Sequence, residues 1–303
     1  IRQFYHDWYR PDLMAVVVVG DITTAKAKSM IEKYFGPLKN PANQKTRDYY
    51  DVKPYTAPKA MIVTDPEATS YDFTLLFPSK VRTDEKTLAD YRNDLVKNIF
   101  EQTLNRKLHE LAQTAKPPYT SADGSFRGLF GALTLHNEGF SLDVTPINNF
   151  QQSIDSAVAE LLRVQKFGFS EKDVDVTKNG ILAYYENAYN ERNKTLSADY
   201  VDEYAGNFMR QEPIPGIVNE YSYAKEMLPG ISAKEVSDLA NQILSDSKNF
   251  FALITGPEKG NIQLPTETEL MSMGEDACKQ QVTAQTEKAS ATSLLSKEPT
   301  PGN

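Results

Sequence analysis

Histidine and cysteine are almost missing from this sequence: three His and one Cys in 303 residues. The lone Cys278 excludes an intrachain disulfide framework and any multi-cysteine metal site, and its polar surroundings make it a surface thiol. The histidines leave no metal motif. His109-Glu110 begins like H-E-x-x-H, but Leu111, Ala112 and Gln113 follow and the second His is absent; the inverted H-x-x-E-H fails equally. His6 and His136 have no second His or acid at ligand spacing, and His136 adjoins an expected turn. There is no G-x-S-x-G elbow and no histidine near the cysteine in sequence. No apolar run reaches the roughly 18 residues that span a bilayer. The first residue is Ile1, not Met, as in a processed or excised piece. Basic residues are the minority, 33 against 41 acids for a net charge of −8, without a dense Lys/Arg cluster. That balance argues against nucleic acid and anionic membranes and suits cationic or mixed peptides.

What is present begins with M-A-V-V-V-V-G-D at residues 14–21. Four valines without polar alternation predict a strand from Met14 to Val19 buried on both faces. Gly20 ends it, Asp21 or Thr23 caps a helix over 23–35 with Ala27, Met30, Ile31 and Tyr34 on one face, and Gly36-Pro37 stops that helix. One glycine followed by an acid is not a phosphate-binding turn, which needs three glycines or Gly-Lys-Ser/Thr. Ahead of the run, Phe4, Trp8 and Tyr9 sit on a short helix ended by Pro11. The helix-strand-glycine pattern returns with the capping box Ser232-Ala233-Lys234-Glu235, then Val236, Leu239, Ile243 and Leu244, then Phe250 through Ile254 and Gly256. Two copies predict two related domains, the first represented by its closing elements. An aperiodic stretch rich in Pro, Asn, Lys and Tyr over 39–58 sets the boundary near residue 50.

Between the copies, 60–63 and 71–77 read as strands joined by the turn Asp65-Pro66-Glu67. Thr83-Asp84 is the expected cap of a long helix with Leu88, Tyr91, Leu95, Ile99, Leu104, Leu108 and Leu111 on one face, breaking near Thr103 and ended by Pro117-Pro118. Residues 119–126, 132–135 and 140–144 read as strands, with Asn137-Glu138-Gly139 as a hairpin turn. Helices follow over 149–166, 170–193, 197–211 and 218–227. Strands early, helices late and one closing strand predict an α+β fold, a mixed, largely antiparallel sheet with helices stacked on one face. Residues 258–303, rich in Thr, Glu, Gln, Ser and Lys, read as a polar linker or tail. The acid pairs Glu171/Asp173 and Asp202/Glu203 read as solvated helix faces, and the series Tyr184, Tyr185, Tyr189, Tyr200, Tyr204 and Phe208 as core packing rather than a peptide groove.

Taken in order, F-Y-x-x-W-Y-R-P-D-x-M-A-V-V-V-V-G-D-I, Y-F-G-P-L, the D-P-E turn, L-N-R-K-L-H-E-L before P-P-Y, and N-E-R-N-K-T-L-S-A-D-Y-V-D-E-Y resemble the insulinase/pitrilysin family of zinc metallopeptidases over residues 1–257. The resemblance implies an insulinase/mitochondrial-processing-peptidase-like domain. Residues 1–50 would be the closing helix-strand-helix of a preceding metal-bearing domain, 51–257 a complete second, non-catalytic domain, and 258–303 a linker. It implies zinc in the parent protein, held by an H-x-x-E-H motif and a later glutamate that this chain lacks. No catalytic residue, metal ligand or cofactor is therefore expected here, and the chain alone is expected to be inactive. The implied role is chamber wall and peptide-docking surface in a clamshell that degrades peptides, with a peptide substrate and the parent's remaining domains as partners. The expected compartment is the bacterial periplasm or cell envelope. A metal-free structural or assembly subunit of the same fold is the alternative. Tyr119 stands where relatives place a substrate-holding Tyr after the helix, although their Arg is replaced around Ala112, so Tyr119 is the one candidate substrate-binding residue. The run from Met14 to Val19, lacking the strands that would precede it, is expected to self-associate through its open edge.

Overall fold

The computed structural model describes residues 1–47, 56–78, 80–81, 85–128, 137–260 and 262–285. Six strands, β1 (Lys59–Asp65), β2 (Asp72–Leu76), β3 (Lys80–Val81), β4 (Tyr119–Gly128), β5 (Asn137–Pro146) and β6 (Phe251–Pro257), form one sheet in the order β1-β6-β2-β5. β3 follows β2 along the same side of β5, and β4 takes the other side. β1 runs parallel to β6, and every other pairing is antiparallel. The turn after β1 is tied by Glu67 N–H donating to Asp65 Oδ1 at 2.7 Å, yet it makes no hairpin, because β6 lies between β1 and β2. The connection crosses the end of β6 with the Tyr71 ring against Gly256, where a Cβ would come within 2.2 Å of that ring.

The helices are α1 (Arg2–Trp8), α2 (Thr24–Tyr34), α3 (Leu88–Ala112), α4 (Phe150–Phe167), α5 (Glu171–Glu191), α6 (Ser197–Arg210), α7 (Ile217–Met227), α8 (Ala233–Leu244) and α9 (Glu267–Lys279). Side-chain oxygens start them where the sequence offers one: Thr23, Thr87, Asn149, Ser170, Ser232 and Thr266 each accept a backbone N–H of the first turn. The period of two along β5 sends Phe140, Leu142 and Val144 toward the helices and Ser141, Asp143 and Thr145 to the opposite face. The helices that pack on the sheet, α3, α4 and α9, thus lie on one face, with Phe100 of α3 meeting the rings of Phe126, Phe140 and Phe169 at the centre of the core.

Several expectations are corrected. Residues 14–19 form no strand, and Met14, Val16 and Val18 are exposed; a valine run favours extended backbone but needs a neighbouring strand to pair with, and none of the six described strands takes it. Helix α2 likewise buries none of its residues. The cap of α3 is Thr87 with Asp90 as its capping-box partner; Thr83 and Asp84 lie outside the described residues. α3 does not break at Thr103, whose hydroxyl is satisfied by Thr177 of α5 at 2.9 Å. Asn137, Glu138 and Gly139 are the start of β5, paired with Val81, Lys80 and Arg127, while the strand expected at 132–135 and His136 lie outside the described residues.

The polar tail is also corrected in its first half. α9 carries a Thr266/Glu269 capping box and buries Leu270, Gly274 and Ala277 against the domain, with Gly274 directly under the Phe250 ring. Beyond it, Gln280 Nε2 donates to Asp155 O at 2.9 Å and Lys166 Nζ to Val282 O at 3.2 Å, so the chain runs on along α4. Cys278 is consequently no surface thiol: it packs against the core, and burial pushes its thiol up to about 12.

Candidate peptide-facing surface

The sheet face away from the helices is the surface on which this fold places ordered polar groups. Register carries its side chains in rows across the strands: Met61 lies opposite Leu253, Leu253 opposite Thr74, Thr74 opposite Asp143, and Asp143 opposite Asp123. Val63 and Thr255 open a parallel row. The face is therefore apolar at β1 and β6 and becomes hydroxyl-rich and acidic across β2, β5 and β4. Hydrogen bonds fix the polar half. Thr74 Oγ1 donates to Asp143 Oδ1 at 2.6 Å and Ser141 Oγ to Asp143 Oδ2 at 3.0 Å. Thr145 Oγ1 donates to Asp72 Oδ1 at 2.8 Å, and Ser121 Oγ to Thr145 Oγ1 at 3.2 Å. Met61 and Val63 are each 46% exposed at the apolar edge, and among the described strands β1 pairs with β6 alone.

Such a face can hold an extended peptide, with apolar side chains over β1 and β6, cationic ones toward the carboxylates, and backbone groups along the edge of β1 that no described strand pairs. Sequence reasoning did not assemble it, because each row joins residues from strands far apart in the chain. The local signal was available in the alternation of F-S-L-D-V-T at 140–145 and D-F-T at 72–74, which puts one polar set on one face.

Tyr119, the residue singled out from sequence, is fully buried, and its hydroxyl donates to Leu108 O at 2.9 Å. Burial, with the nearby Glu160 charge, pushes the phenol up from its ordinary value. The side chain locks the start of β4 onto the end of α3 and meets no solvent through which a peptide could reach it. His6 and His109 are exposed on α1 and α3 and lie on no common cluster; among the described residues no three His, Cys, Asp or Glu side chains converge. The residues described here do not fit a zinc site.

A cleft of about 1030 Å³ opens where the ends of α3 and α4 meet the start of α5. Its carboxylates are already paired: Asp173 accepts from Arg106 and Lys107, and Glu160 from Arg163 and Gln285, while Glu110 lies 3.6 Å from Arg106. It is a polar staple between helices and the chain after α9. The aromatic series on α5 and α6 departs from the expected core packing, since Tyr184, Tyr204 and Phe208 are exposed.

Residues 1–181 match the family described as "Peptidase M16 inactive domain". The chain belongs to the M16 peptidase family. Among curated relatives, the "Zinc protease PQQL-like" of Arabidopsis thaliana is 28% identical over 244 residues, 80% of this chain and 22% of that protein. The "Probable zinc protease PqqL" of Haemophilus influenzae is 25% identical over 260 residues, 85% of this chain and 27% of that protein. The chain thus spans about a quarter of the length of these M16 relatives. Among solved structures, the periplasmic protease PqqL of Escherichia coli superposes with a TM-score of 0.77 at 18% identity, covering 98% of this chain and 32% of that one. At that identity the likeness shows the fold, and the fold is the insulinase-like α+β domain expected from the sequence.

Proposed function

We propose that this chain is the non-catalytic portion of a zinc metalloendopeptidase that degrades peptides, serving there as chamber wall with the helix-free sheet face as its peptide-docking surface. The observation that carries this reading is the match to the inactive domain of M16 peptidases combined with a sheet face that is ordered, graded from apolar to acidic, and uncovered by the described helices. Zinc enters through the relatives, which are named zinc proteases, and not through any residue described here. The bacterial periplasm or cell envelope follows the same route, from the E. coli protein called periplasmic. Residues 1–50 are read as closing elements of a preceding domain, in keeping with the exposed apolar residues of α1, α2 and the run between them. The second domain starts near residue 51 and, with α9 packed on it, continues past 257. The remaining domains of the parent are its expected neighbours.

Binding of a fluorescein-labelled, unfolded peptide to the chain, followed by anisotropy, tests the docking surface. The double variant Met61→Asp/Val63→Asp should weaken binding at least about tenfold, since it places charge where apolar side chains would settle. Both positions are well exposed, so the circular dichroism spectrum should not change. Unaltered affinity would remove the sheet face as docking surface and leave the scaffold alternative in place.

The same reading includes self-association through residues 14–19, supported by the exposed Met14, Val16 and Val18 on a segment that pairs with none of the described strands. Val18→Lys should shift sedimenting oligomers toward monomer. Identical sedimentation of parent and variant across the same concentration range would eliminate this contact.

A further inference from the structure

Past α9 the chain changes the way it is held. α9 is docked by packing: Leu270, Gly274 and Ala277 are buried, and the helix lies against α4, β1 and β6. The next six residues, 280–285, bury one apolar side chain, Val282, while Gln281, Thr283, Ala284 and Gln285 are exposed. Among the described residues no backbone pair ties 281–285 to the domain. The segment is fastened instead by side-chain hydrogen bonds along α4. Gln280 Nε2 donates to Asp155 O at 2.9 Å, Lys166 Nζ to Val282 O at 3.2 Å, and Arg163 Nε to Thr283 O at 3.3 Å. Gln285 Nε2 closes the series on both carboxylate oxygens of Glu160, at 2.9 and 3.0 Å.

Glu160, Arg163 and Lys166 stand three residues apart, so they form one stripe of α4 facing the segment. Glu160 is the member that packing alone does not explain. It is an acid with 1% of its surface exposed, and burying it is costly unless donors converge on it. Two do: Arg163 Nη1 from its own helix and the Gln285 amide from the segment. Ala284 and Gln285 also form one wall of the cleft between α3, α4 and α5. A segment held by one valine and a few side-chain bonds, without a backbone ladder, opens at far lower free energy than the packed helix before it.

We propose that residues 280–285 are a latched strap, caught on α4 by Glu160, Arg163 and Lys166, that releases as a unit while α9 stays docked. Release lengthens the tether to the chain that follows by roughly 20 Å, the reach of six extended residues. It also removes one wall of the cleft and uncovers Glu160. The strap is thus a conformational device that sets how far the following chain can move from this domain. It rests on the reading that the parent's remaining domains follow this one, and it makes no use of the sheet face.

Thiol labelling of the full chain tests it, because Cys278 reports on α9 and Val282→Cys places a second thiol under the strap. N-ethylmaleimide is the probe, and peptide mass after digestion at Lys279 reads the two sites separately. Each rate is divided by its own value in urea. On that scale the Val282→Cys thiol should react at least about tenfold faster than Cys278, yet at least about tenfold slower than in the unfolded chain. Lys166→Ala/Gln285→Ala should speed the Val282→Cys thiol at least about tenfold. Leu270→Val, which loosens the packing of α9, should speed Cys278 about threefold or more and leave the strap thiol unchanged. A Val282→Cys thiol as reactive folded as unfolded means no latch. A strap thiol indifferent to Lys166→Ala/Gln285→Ala means that these bonds do not hold it. Equal acceleration of both thiols by Leu270→Val means that strap and α9 open together. Each of these three results overturns the inference. Should Val282→Cys itself loosen the strap, trypsin cleavage after Lys279 reads the same opening in the native sequence, and Lys166→Ala/Gln285→Ala should hasten it; an unchanged rate overturns the inference equally. Loss of peptide binding at the sheet face would leave all these rates as they are, so the two readings fail separately.

Discussion

Phe100→Ala should destabilise the chain by about 3–5 kcal/mol, the range for removing a fully buried aromatic ring whose surroundings cannot collapse. Phe100 has no exposed surface and sits with ring centroids 5.9 Å from Phe126, 5.8 Å from Phe140 and 5.6 Å from Phe169. These rings belong to α3, β4, β5 and the entry to α5, so one side chain joins the sheet to two helices. None of them can follow into the void without leaving its own packing. Gly124 of β4 adds a constraint, because a Cβ there would come within 2.6 Å of the Phe140 ring. Phe100→Leu keeps most of the volume and should lose far less, about 1 kcal/mol. Urea unfolding of the two variants measures the difference; a loss below about 1 kcal/mol for Phe100→Ala would mean that these rings are not the centre of the core.

The elements that were legible in the sequence are those whose signal is local. Asn149, Ser170 and Ser232 each stand one residue before a helix and cap it, and the apolar face of α3 runs through Leu95, Ile99, Leu104 and Leu108 into the core. What was not legible depends on partners. Residues 14–19 have the composition of a buried strand but pair with none of the described strands. Asn137-Glu138-Gly139 has turn chemistry, yet β3 and β4 hydrogen-bond it on both sides and hold it extended. α9 carries few apolar residues in a polar text, and Leu270, Gly274 and Ala277 suffice because each lands on the domain. The rings of α6 have core spacing, but periodicity reports only that one face is apolar and not whether anything covers it. Tyr119 shows the same limit for a site residue: its place in the chain suggested substrate, and its hydroxyl is taken by Leu108.

Acid should change the stability of this chain in two opposed steps that one cleft sets. Asp173, in the first turn of α5, is raised by burial, but hydrogen bonds from Lys107 Nζ at 2.8 Å and Arg106 Nη2 at 2.9 Å outweigh that and hold it at about 2, against 3.8 ordinarily. Because the folded state favours its ionised form, its contribution is complete well above pH 3.8 and is lost as pH falls toward 2, on the order of 2 kcal/mol for an acid with 21% of its side chain exposed. Glu160, only 1% exposed in the same cleft, is shifted the other way: burial dominates and pushes it up despite Arg163, Lys107 and Gln285. The folded state therefore binds its proton more readily than the unfolded state does, so mild acid relieves a penalty present at neutral pH. Stability should hold or rise as pH drops from 7 toward 5, then fall steeply below 4. Asp173→Asn should lower stability by about 2–3 kcal/mol at pH 7, leaving Arg106 and Lys107 against a neutral amide, and should flatten the loss below pH 4. Glu160→Gln should flatten the response between pH 5 and 7 while keeping the steep loss below 4. Urea unfolding at pH 7, 5 and 3 for the three proteins separates these terms. An Asp173→Asn protein as acid-sensitive as its parent would show that the Arg106, Lys107 and Asp173 cluster does not set the stability of this junction.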